Sequence, residues 1–463
     1  MQLQIPLVST TSEGDITGRE RLVNVYPRVS TGGKYSFHLI GSPGLAEFIS
    51  LPTFPVIGLH ENGERAFAVT PSKFYEIFPN GTYKELGDID LKGRPVIADN
   101  GIQVVVVDGL KGFYYDINTD EVKQITDSAF YPAKTVTYQD GYFIFERKDT
   151  AQWFISKLLS ADFNGTDFAT AEGQPDKLVG VLSDHRELYL FGSRTTEIWF
   201  NAGAANFPFR RSQGAFIEKG CAAPYTIRKH NNTVFFVGSD LIVYALNGYS
   251  PMRVSNNAVE ATLKDTDLSD AFAYTYQDEG QLFYVLTIPT VNITWCYDVT
   301  TGSWHQKKSK VFGRHYSDCC IYFDSKTLVG DFQNGKIYEM ANYYYSDDEY
   351  PIIREFILPT VNNGRDFMSI YSFELDMSSG IGRSIVSDGI GIDYQGEDPI
   401  AILNFSKDNG KNWSNDKFTK LGKIGEYLTR VKWNRLGCSR QFDFKITISD
   451  PVPIDIGGAY IEV

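Results

Sequence analysis

The sequence predicts an all-β protein: a β-propeller of seven blades, with six as the alternative, an extended N-terminal arm and a C-terminal β-sandwich. Three observations indicate this fold. Aromatic residues make up 14% of the 463 residues, a composition suited to half-buried pleated strands. The 41 glycines and 19 prolines suit many short strands joined by tight turns. Long amphipathic patterns with the helical period are nearly absent, which disfavours a helical fold.

A turn signal recurs along the middle of the chain, each time between two apolar strand-like segments. The signals, in order, are Gly63, Gly101, Gly141, Arg186-Glu187, Asn231-Asn232, Gly280 and Ser325-Lys326. Counted from the first residue of each signal, the intervals are 38, 40, 45, 45, 49 and 45 residues. Intervals of this length are typical of propeller blades.

A further strand with a central aromatic residue follows each pair. These aromatics are Tyr75, Tyr115, Phe154, Trp199, Tyr244, Tyr297 and Tyr338. Asn-Gly dipeptides such as Asn80-Gly81 come after several of them and favour hairpin turns with positive φ. A unit of four such strands cannot bury both faces alone, so we expect the units to stack around an axis with aromatics between them. The alternative is an array of β-sandwiches in which the periodicity is accidental.

The repeats predict the domain organisation. We expect residues 1–50 to form the extended arm and to supply a strand that closes the ring, and residues 51–350 to form the propeller. An acidic break at Ser346–Pro351 ends the last repeat, and alternating segments from 351–463 predict the C-terminal β-sandwich, interrupted by a Gly- and Ser-rich loop at 378–396. The best candidate for a short helix is Val259–Asp270.

Composition excludes several classes of protein. The net charge of −13 opposes tight binding to nucleic-acid phosphates, because no net positive field attracts a polyanion. The five cysteines form no CxxC pair and are expected to be reduced, buried thiols. No apolar run is long enough to span a membrane, and the N-terminus lacks the pattern of a secretion signal.

Motifs for catalysis or cofactor binding are weak. The segment GDFQNGK at Gly330–Lys336 resembles part of a phosphate-binding loop, but Ile337 occupies the position of the magnesium-ligand hydroxyl. The six histidines lack metal-site spacing and are expected to be ordinary surface residues; they are His38, His60, His185, His230, His305 and His315. The basic segments Arg228–His230 and His305–Lys310 are expected to be solvated loops. The sequence therefore predicts no catalytic, cofactor-binding or metal-binding residues and no cofactor.

One turn motif is more specific. Ser406, Asp408, Gly410 and Trp413 match the S-x-D-x-G-x-x-W hairpin known as an Asp box. Its Ser and Asp form hydrogen bonds within a tight turn, and its Gly permits positive φ. The motif recurs in sialidase propellers, but here it occurs once and outside the repeats, which favours a structural turn.

Several segments together resemble the packaged-DNA stabilisation proteins, the tail hub or nozzle of short-tailed bacteriophages. They lie at both termini and in the middle of the chain, so the resemblance covers essentially all of it. The segments are Arg21–Arg28, Leu39–Phe48, Gly173–Gly203 with the following Lys219–Ile227, and Arg430–Val463.

This resemblance implies a structural protein of the virion tail, assembled in the host cytoplasm, and not an enzyme. It implies a homohexameric ring that continues the DNA channel below the portal and its adaptor ring and helps to retain packaged DNA. The implied partners are the adaptor, a tail needle or plug, and tailspikes or fibres, while genomic DNA passes through without specific binding. The acidic composition agrees with a channel that repels phosphates, and an acidic channel wall is the corresponding prediction.

Two other functions stay open. A propeller glycoside hydrolase or glycan-binding tail protein would act on the host surface, although Asp boxes are missing from residues 51–345. A monomeric ligand-binding propeller is the third possibility.

Overall fold

The computed structural model describes residues 1–10, 19–364, 366–383 and 396–463. Five strands precede the repeats: β1 Gln2–Leu3, β2 Arg21–Val23, β3 Val25–Val29, β4 Phe37–Gly41 and β5 Gly44–Ser50. Residues 384–395 of the predicted Gly- and Ser-rich loop lie outside the described residues.

Seven four-stranded antiparallel blades are found in the described part of the chain. The first blade contains β6 Gly58–Glu61, β7 Ala66–Val69, β8 Lys73–Ile77 and β9 Tyr83–Asp88, and the second contains β10 Val96–Asp99, β11 Gln103–Val107, β12 Gly112–Asp116 and β13 Glu121–Gln124. The third blade contains β14 Val136–Gln139, β15 Tyr142–Glu146, β16 Gln152–Ser156 and β17 Phe163–Thr170, and the fourth contains β18 Leu178–Asp184, β19 Glu187–Gly192, β20 Thr196–Asn201 and β21 Phe209–Ile217. The fifth blade contains β22 Arg228–His230, β23 Thr233–Val237, β24 Val243–Asn247 and β25 Ser250–Arg253. The sixth blade contains β26 Phe272–Asp278, β27 Gln281–Ile288, β28 Ile293–Asp298 and β29 Ser303–Lys307. The seventh blade contains β30 Ser317–Phe323, β31 Lys326–Asp331 and β32 Lys336–Ala341 together with β5.

Each predicted turn signal lies between the first and second strands of a blade. Glycine supplies the positive φ at several of these turns, for example Gly101 at 84°. At others, non-glycine residues adopt it, as in Asn231 and Asn232 at 52° and 61°, and His185 and Arg186 at 49° and 64°. Successive positive φ values match hairpin turns of the kind that follow the twist of antiparallel strands. The seven predicted aromatics all lie on the third strands, so the propeller repeat is confirmed.

The ring is closed by a strand from before the first blade. Strand β5 pairs antiparallel with β32, with Lys336 opposite Ser50 and Ala341 opposite Gly44. The seventh blade therefore combines three strands from one end of the repeats with a fourth from the other end. The first strand of this blade, β30, also contacts β6 of the first blade.

In the described part of the chain, ten strands follow β32, and the last eight of them belong to the β-sandwich. The ten strands are β33 Ser346–Asp347, β34 Tyr350–Pro351, β35 Arg354–Ile357, β36 Val361–Asn362, β37 Met368–Met377, β38 Ile400–Ser406, β39 Lys417–Lys420, β40 Val431–Ser439, β41 Gln441–Ile448 and β42 Asp455–Glu462, of which β33 and β34 extend the seventh blade beyond β5. One sandwich sheet has the order β3-β4-β42-β37-β40, with β1 paired to β42, and the other contains β2-β35-β41-β38-β39, with β36 paired to β41. The two sheets meet through a buried core in which the rings of Phe373 and Phe444 are 4.7 Å apart.

Strand β2 connects the two domains within one sheet. Val23 pairs in parallel with Gln306 of the sixth blade and antiparallel with Glu355 of the sandwich. The sheet of the sixth blade thus continues through β2 into the sandwich. The residues predicted as an arm contribute strands to both domains.

The helix α1, Asn257–Leu263, begins two residues before the predicted segment and ends earlier. The Asn256 side chain caps it by accepting a hydrogen bond from Val259 N at 3.1 Å. Beyond its end, Asp265 has φ of 58°, which a continuing helix does not allow. The prediction of a helix through Asp270 was therefore too long.

Candidate functional site

The axis of the propeller contains a cavity of about 430 Å³. Its walls come from the first strands of the blades and the residues just before them. Its charged lining residues are the cations Arg94, Arg228 and Lys229 and the carboxylates Asp99 and Asp318. Of the carboxylates, Asp99 lies 2.6 Å from His60, and this contact with His60 lowers the pKa of Asp99 although burial opposes the shift.

A wider cavity of about 990 Å³ lies at the end where the first and second strands turn. Its acidic lining residues are Glu61, Asp278, Glu279 and Glu339, and Tyr322 and Tyr343 are exposed beside them. Three of these carboxylates are engaged by neighbouring side chains: Glu339 by Lys326 at 3.1 Å, Glu279 by Arg28, and Asp278 by Asn342. These contacts satisfy the carboxylates within the protein.

The histidines differ from the sequence expectation. His305 and His315 are buried, with 0% and 2% of their surface exposed, so the prediction of surface histidines was wrong for these two. Burial lowers the pKa of His305 to about 3 and that of His315 well below its usual range. His315 Nδ1 lies 2.7 Å from Ser317 Oγ, whereas both ring nitrogens of His305 lack a hydrogen-bond partner among the described residues.

The predicted basic loops are strands. Arg228–His230 forms β22 beside the axial cavity, and His305 and Lys307 lie in β29. Lys307 is fully buried, its Nζ 3.5 Å from Met340 Sδ and 4.6 Å from the centre of the Tyr276 ring. The interpretation as solvated loops was therefore wrong for Arg228–His230, which is a partly buried strand, and for His305 and Lys307, which are buried. Lys308 and Lys310 lie beyond β29 and are exposed, as that interpretation expected.

The segment GDFQNGK forms the turn between β31 and β32. Lys336 at its end pairs with Asp348 at 2.7 Å and with Glu47 at 2.9 Å. Its cationic group is therefore paired with two carboxylates, in a turn between antiparallel strands and not at the start of a helix.

The Asp box forms a tight turn after β38. Ser406 Oγ donates to Asp408 Oδ1 at 2.8 Å and accepts from Gly410 N at 2.8 Å. Asp408 also accepts from Asn412 N at 2.9 Å, and these contacts lower the pKa of Asp408 to about 2. Gly410 has φ of 69°, and Lys445 Nζ lies 5.0 Å from the Trp413 ring.

Within the described ranges, no group of three or more His, Cys, Asp or Glu side chains is arranged to hold a metal ion, and no helix is long and apolar enough to cross a membrane. All five cysteines are free thiols. Cys221, Cys296 and Cys319 are buried as expected. Cys320 is only half-buried and Cys438 is exposed, so the expectation of buried thiols was wrong for Cys438 and only partly met at Cys320.

Family models match both domains in tandem. A model described as the β-propeller of bacteriophage P22 Gp10 matches residues 3–345, and a model described as its β-sandwich matches residues 353–463. The chain belongs to the bacteriophage P22 Gp10 family. The resemblance found in the sequence is thereby confirmed, together with the fold class of propeller and sandwich.

Individual relatives of this Gp10-family chain are distant. The tail hub protein gp10 of Salmonella phage P22 is 21% identical over 428 residues, which cover 84% of this chain and 85% of that protein. The structural alignment with BamB from Moraxella catarrhalis covers 70% of this chain and 97% of BamB, at 11% sequence identity and a TM-score of 0.40. The alignment with YCF48 from Cyanidioschyzon merolae covers 64% of this chain and 98% of YCF48, at 12% sequence identity and a TM-score of 0.41. The two structural likenesses are too weak to support an argument.

Sequence reasoning missed the buried charges of this Gp10-family protein where the two domains join. Asp347 and Arg354 are each 2% exposed, and burial raises the pKa of Asp347 to about 7 and lowers that of Arg354 to about 10. The Arg354 side chain packs against Gly41, where a Cβ would lie 2.8 Å from Arg354 Nε. The packing of Arg354 against Gly41 leaves no periodic signal in the sequence. Sequence patterns therefore could not reveal that Arg354 is buried.

Proposed function

We propose that this chain is a structural subunit of a phage tail hub. The observation that carries the proposal is the tandem match of propeller and sandwich along 3–345 and 353–463. A relative whose name is tail hub protein aligns with most of both chains, which supports the same role.

The connection between the domains supports a rigid body. Val23 joins the sixth blade to the sandwich by backbone pairing on both of its edges. A backbone sheet that runs between two domains resists hinge motion, because bending would break its hydrogen bonds. A subunit that holds back packaged DNA needs such resistance.

We also propose how this subunit is arranged in the tail and what it contacts there. The subunits form a homohexameric ring in the virion tail that continues the DNA channel below the portal and adaptor, and they are assembled in the host cytoplasm. The ring helps to retain DNA and docks a needle or plug and tailspikes or fibres. The net charge of −13 supports an acidic channel wall through which DNA passes without specific binding. We propose a non-enzymatic role, and domain limits at 1–50, 51–350 and 351–463.

Electron microscopy of the phage particle that carries this chain tests the proposal. We expect density for a ring of six propeller–sandwich subunits below the portal. Location of the chain elsewhere, or its absence from purified particles, would contradict the proposal. Incubation of the purified chain with host-surface polysaccharide tests the alternative, and release of sugar would show an enzyme.

The isolated chain gives a second test. Because acidic subunits repel one another, we expect a 52.1 kDa monomer in native mass spectrometry at low salt, and a ring only on the adaptor. A stable hexamer without partners would contradict this expectation for the isolated chain.

A further inference from the structure

One end of the axial cavity collects positive charge in an acidic protein. The first strands of the blades line the axis, and Arg94 lies two residues before β10 while Arg228 is the first residue of β22. Because equivalent strands of a propeller run in the same direction along the axis, their starting residues meet at the same end. Asp318, the second residue of β30, lies at that end as well.

The Arg94 guanidinium is held in place. Its Nη1 lies 3.0 Å from Asp318 Oδ2, and its Nη2 donates to the Asp318 carbonyl oxygen. Its central carbon lies 3.5 Å from the centre of the Phe272 ring, which is a stacking distance. This arginine is therefore oriented by its neighbours and has one carboxylate partner.

Arg228 lacks such a partner. Its Nη1 donates to the carbonyl oxygen of the preceding Ile227 at 2.8 Å, and no ion pair of Arg228 is found among the described residues. Burial and the nearby Arg94 lower the pKa of Arg228 to about 10. Arg228 is half-buried. A cation partly withdrawn from water without a counter-ion is unfavourable, and an anion that binds beside it removes that cost.

The rest of the cavity does not neutralise Arg228. Its two carboxylates are already engaged, Asp318 with Arg94 and Asp99 with His60. Lys229 adds a further cation, and its Nζ donates to the Ser183 carbonyl oxygen at 3.1 Å. The three cationic side chains of the lining thus exceed the two carboxylates.

We propose that this end of the axial cavity binds a small phosphate-class oxyanion, with Arg228 as the principal donor and Arg94 as the second. The planar guanidinium matches an oxyanion through two parallel N–H groups. A cavity of about 430 Å³ admits inorganic phosphate or the phosphate of a mononucleotide, but not a double helix.

Calorimetric titration of the full chain tests this site at constant ionic strength. We expect saturable binding of inorganic phosphate that an equal concentration of chloride does not reproduce. A parallel titration with adenosine monophosphate distinguishes the sources: equal affinity indicates free phosphate as the ligand, and tighter binding indicates a nucleotide. Failure of both anions to bind, or heat equal to that of chloride, would overturn the proposal.

Variants assign the binding to the two arginines. Arg228→Gln is expected to weaken phosphate binding about ten-fold or more, because a charge-assisted hydrogen bond is lost. The control Arg186→Gln, whose side chain is 84% exposed at a blade turn, should bind as the unmodified chain does. Asp318→Asn removes the carboxylate that competes for Arg94 and should strengthen binding. Unchanged phosphate affinity in both Arg228→Gln and Asp318→Asn would refute the assignment. If one of the two variants folds poorly, unchanged affinity in the other one would still refute it.

Discussion

The Asn24 side chain pairs with the Lys308 backbone through both the nitrogen and the oxygen of its amide. Asn24 Nδ2 donates to the Lys308 carbonyl oxygen at 2.7 Å, and Asn24 Oδ1 accepts from Lys308 N at 2.8 Å. The same Nδ2 donates to the Ile353 carbonyl oxygen at 2.8 Å. One buried side chain thus ties the segment after β2 to the end of the sixth blade and to the start of the sandwich.

Replacement of Asn24 should weaken the connection between the domains. Asn24→Gly should lower the free energy of unfolding by about 2–3 kcal/mol, because buried backbone groups lose their partners. Asn24→Ala should cost about 1 kcal/mol more, since Asn24 has φ of 56° and a Cβ is disfavoured there. Urea unfolding measures both. The control Asn232→Gly, at an exposed residue with φ of 61°, should change stability by less than about 0.5 kcal/mol. Equal effects at the two asparagines would contradict this account.

The blade turn at Arg186 should tolerate glycine better than arginine. Arg186 has φ of 64°, and its side chain contacts Asp140 at 3.4 Å while largely exposed. Arg186→Gly should raise the free energy of unfolding by about 1 kcal/mol, because glycine adopts positive φ without steric cost. Arg186→Ala is the matched control, since it removes the side chain but keeps the Cβ. An equal gain in both variants would assign the effect to the side chain and not to the backbone.

Glu146 should contribute a pH dependence of stability. The carboxylate is 1% exposed and accepts from Lys134 N and from Thr135 N, yet burial raises its pKa to about 7. The folded state therefore binds more protons than the unfolded state between about pH 4.5 and pH 7, and stability falls as the pH rises through that window.

Glu146→Gln should remove this contribution. Between pH 5 and pH 8 the unmodified chain should lose up to about 3 kcal/mol more stability than the variant. Denaturant titrations across that range measure the two slopes. Glu121→Gln, at a residue whose side chain is 59% exposed, is the control and should keep the slope of the unmodified chain. Parallel curves for Glu146→Gln and the unmodified chain would show that Glu146 does not titrate in this window.

The thiols should separate into reactive and protected groups. Cys438 is exposed, whereas burial raises the pKa of Cys221 and of Cys296 to about 12, which suppresses the thiolate. A chromogenic disulfide reagent should label Cys438 rapidly in the folded chain and all five thiols after denaturation. Cys438→Ser should remove the rapid phase. A rapid phase that persists in this variant would place the reactive thiol elsewhere.

The sequence by itself determined the local pattern of this protein. Turn residues such as Gly101 and Asn231-Asn232, and third-strand aromatics such as Tyr115, act within a few residues of one another. Their spacing therefore predicts the blades and the fold class, with seven blades favoured over six.

Only the tertiary structure decided which distant segments meet. The bridge from Val23 to Gln306 and the two arginines of the axial cavity depend on contacts across much of the chain. The sequence predicted that residues 1–50 close the ring, but not that Gly44–Ser50 is the strand that does so. The same holds for His305, which is buried because the Tyr26 ring stacks on it at 5.3 Å from a strand far away in sequence. Burial of a charge or a histidine is a property of what covers it, and single-residue spacing does not encode that cover.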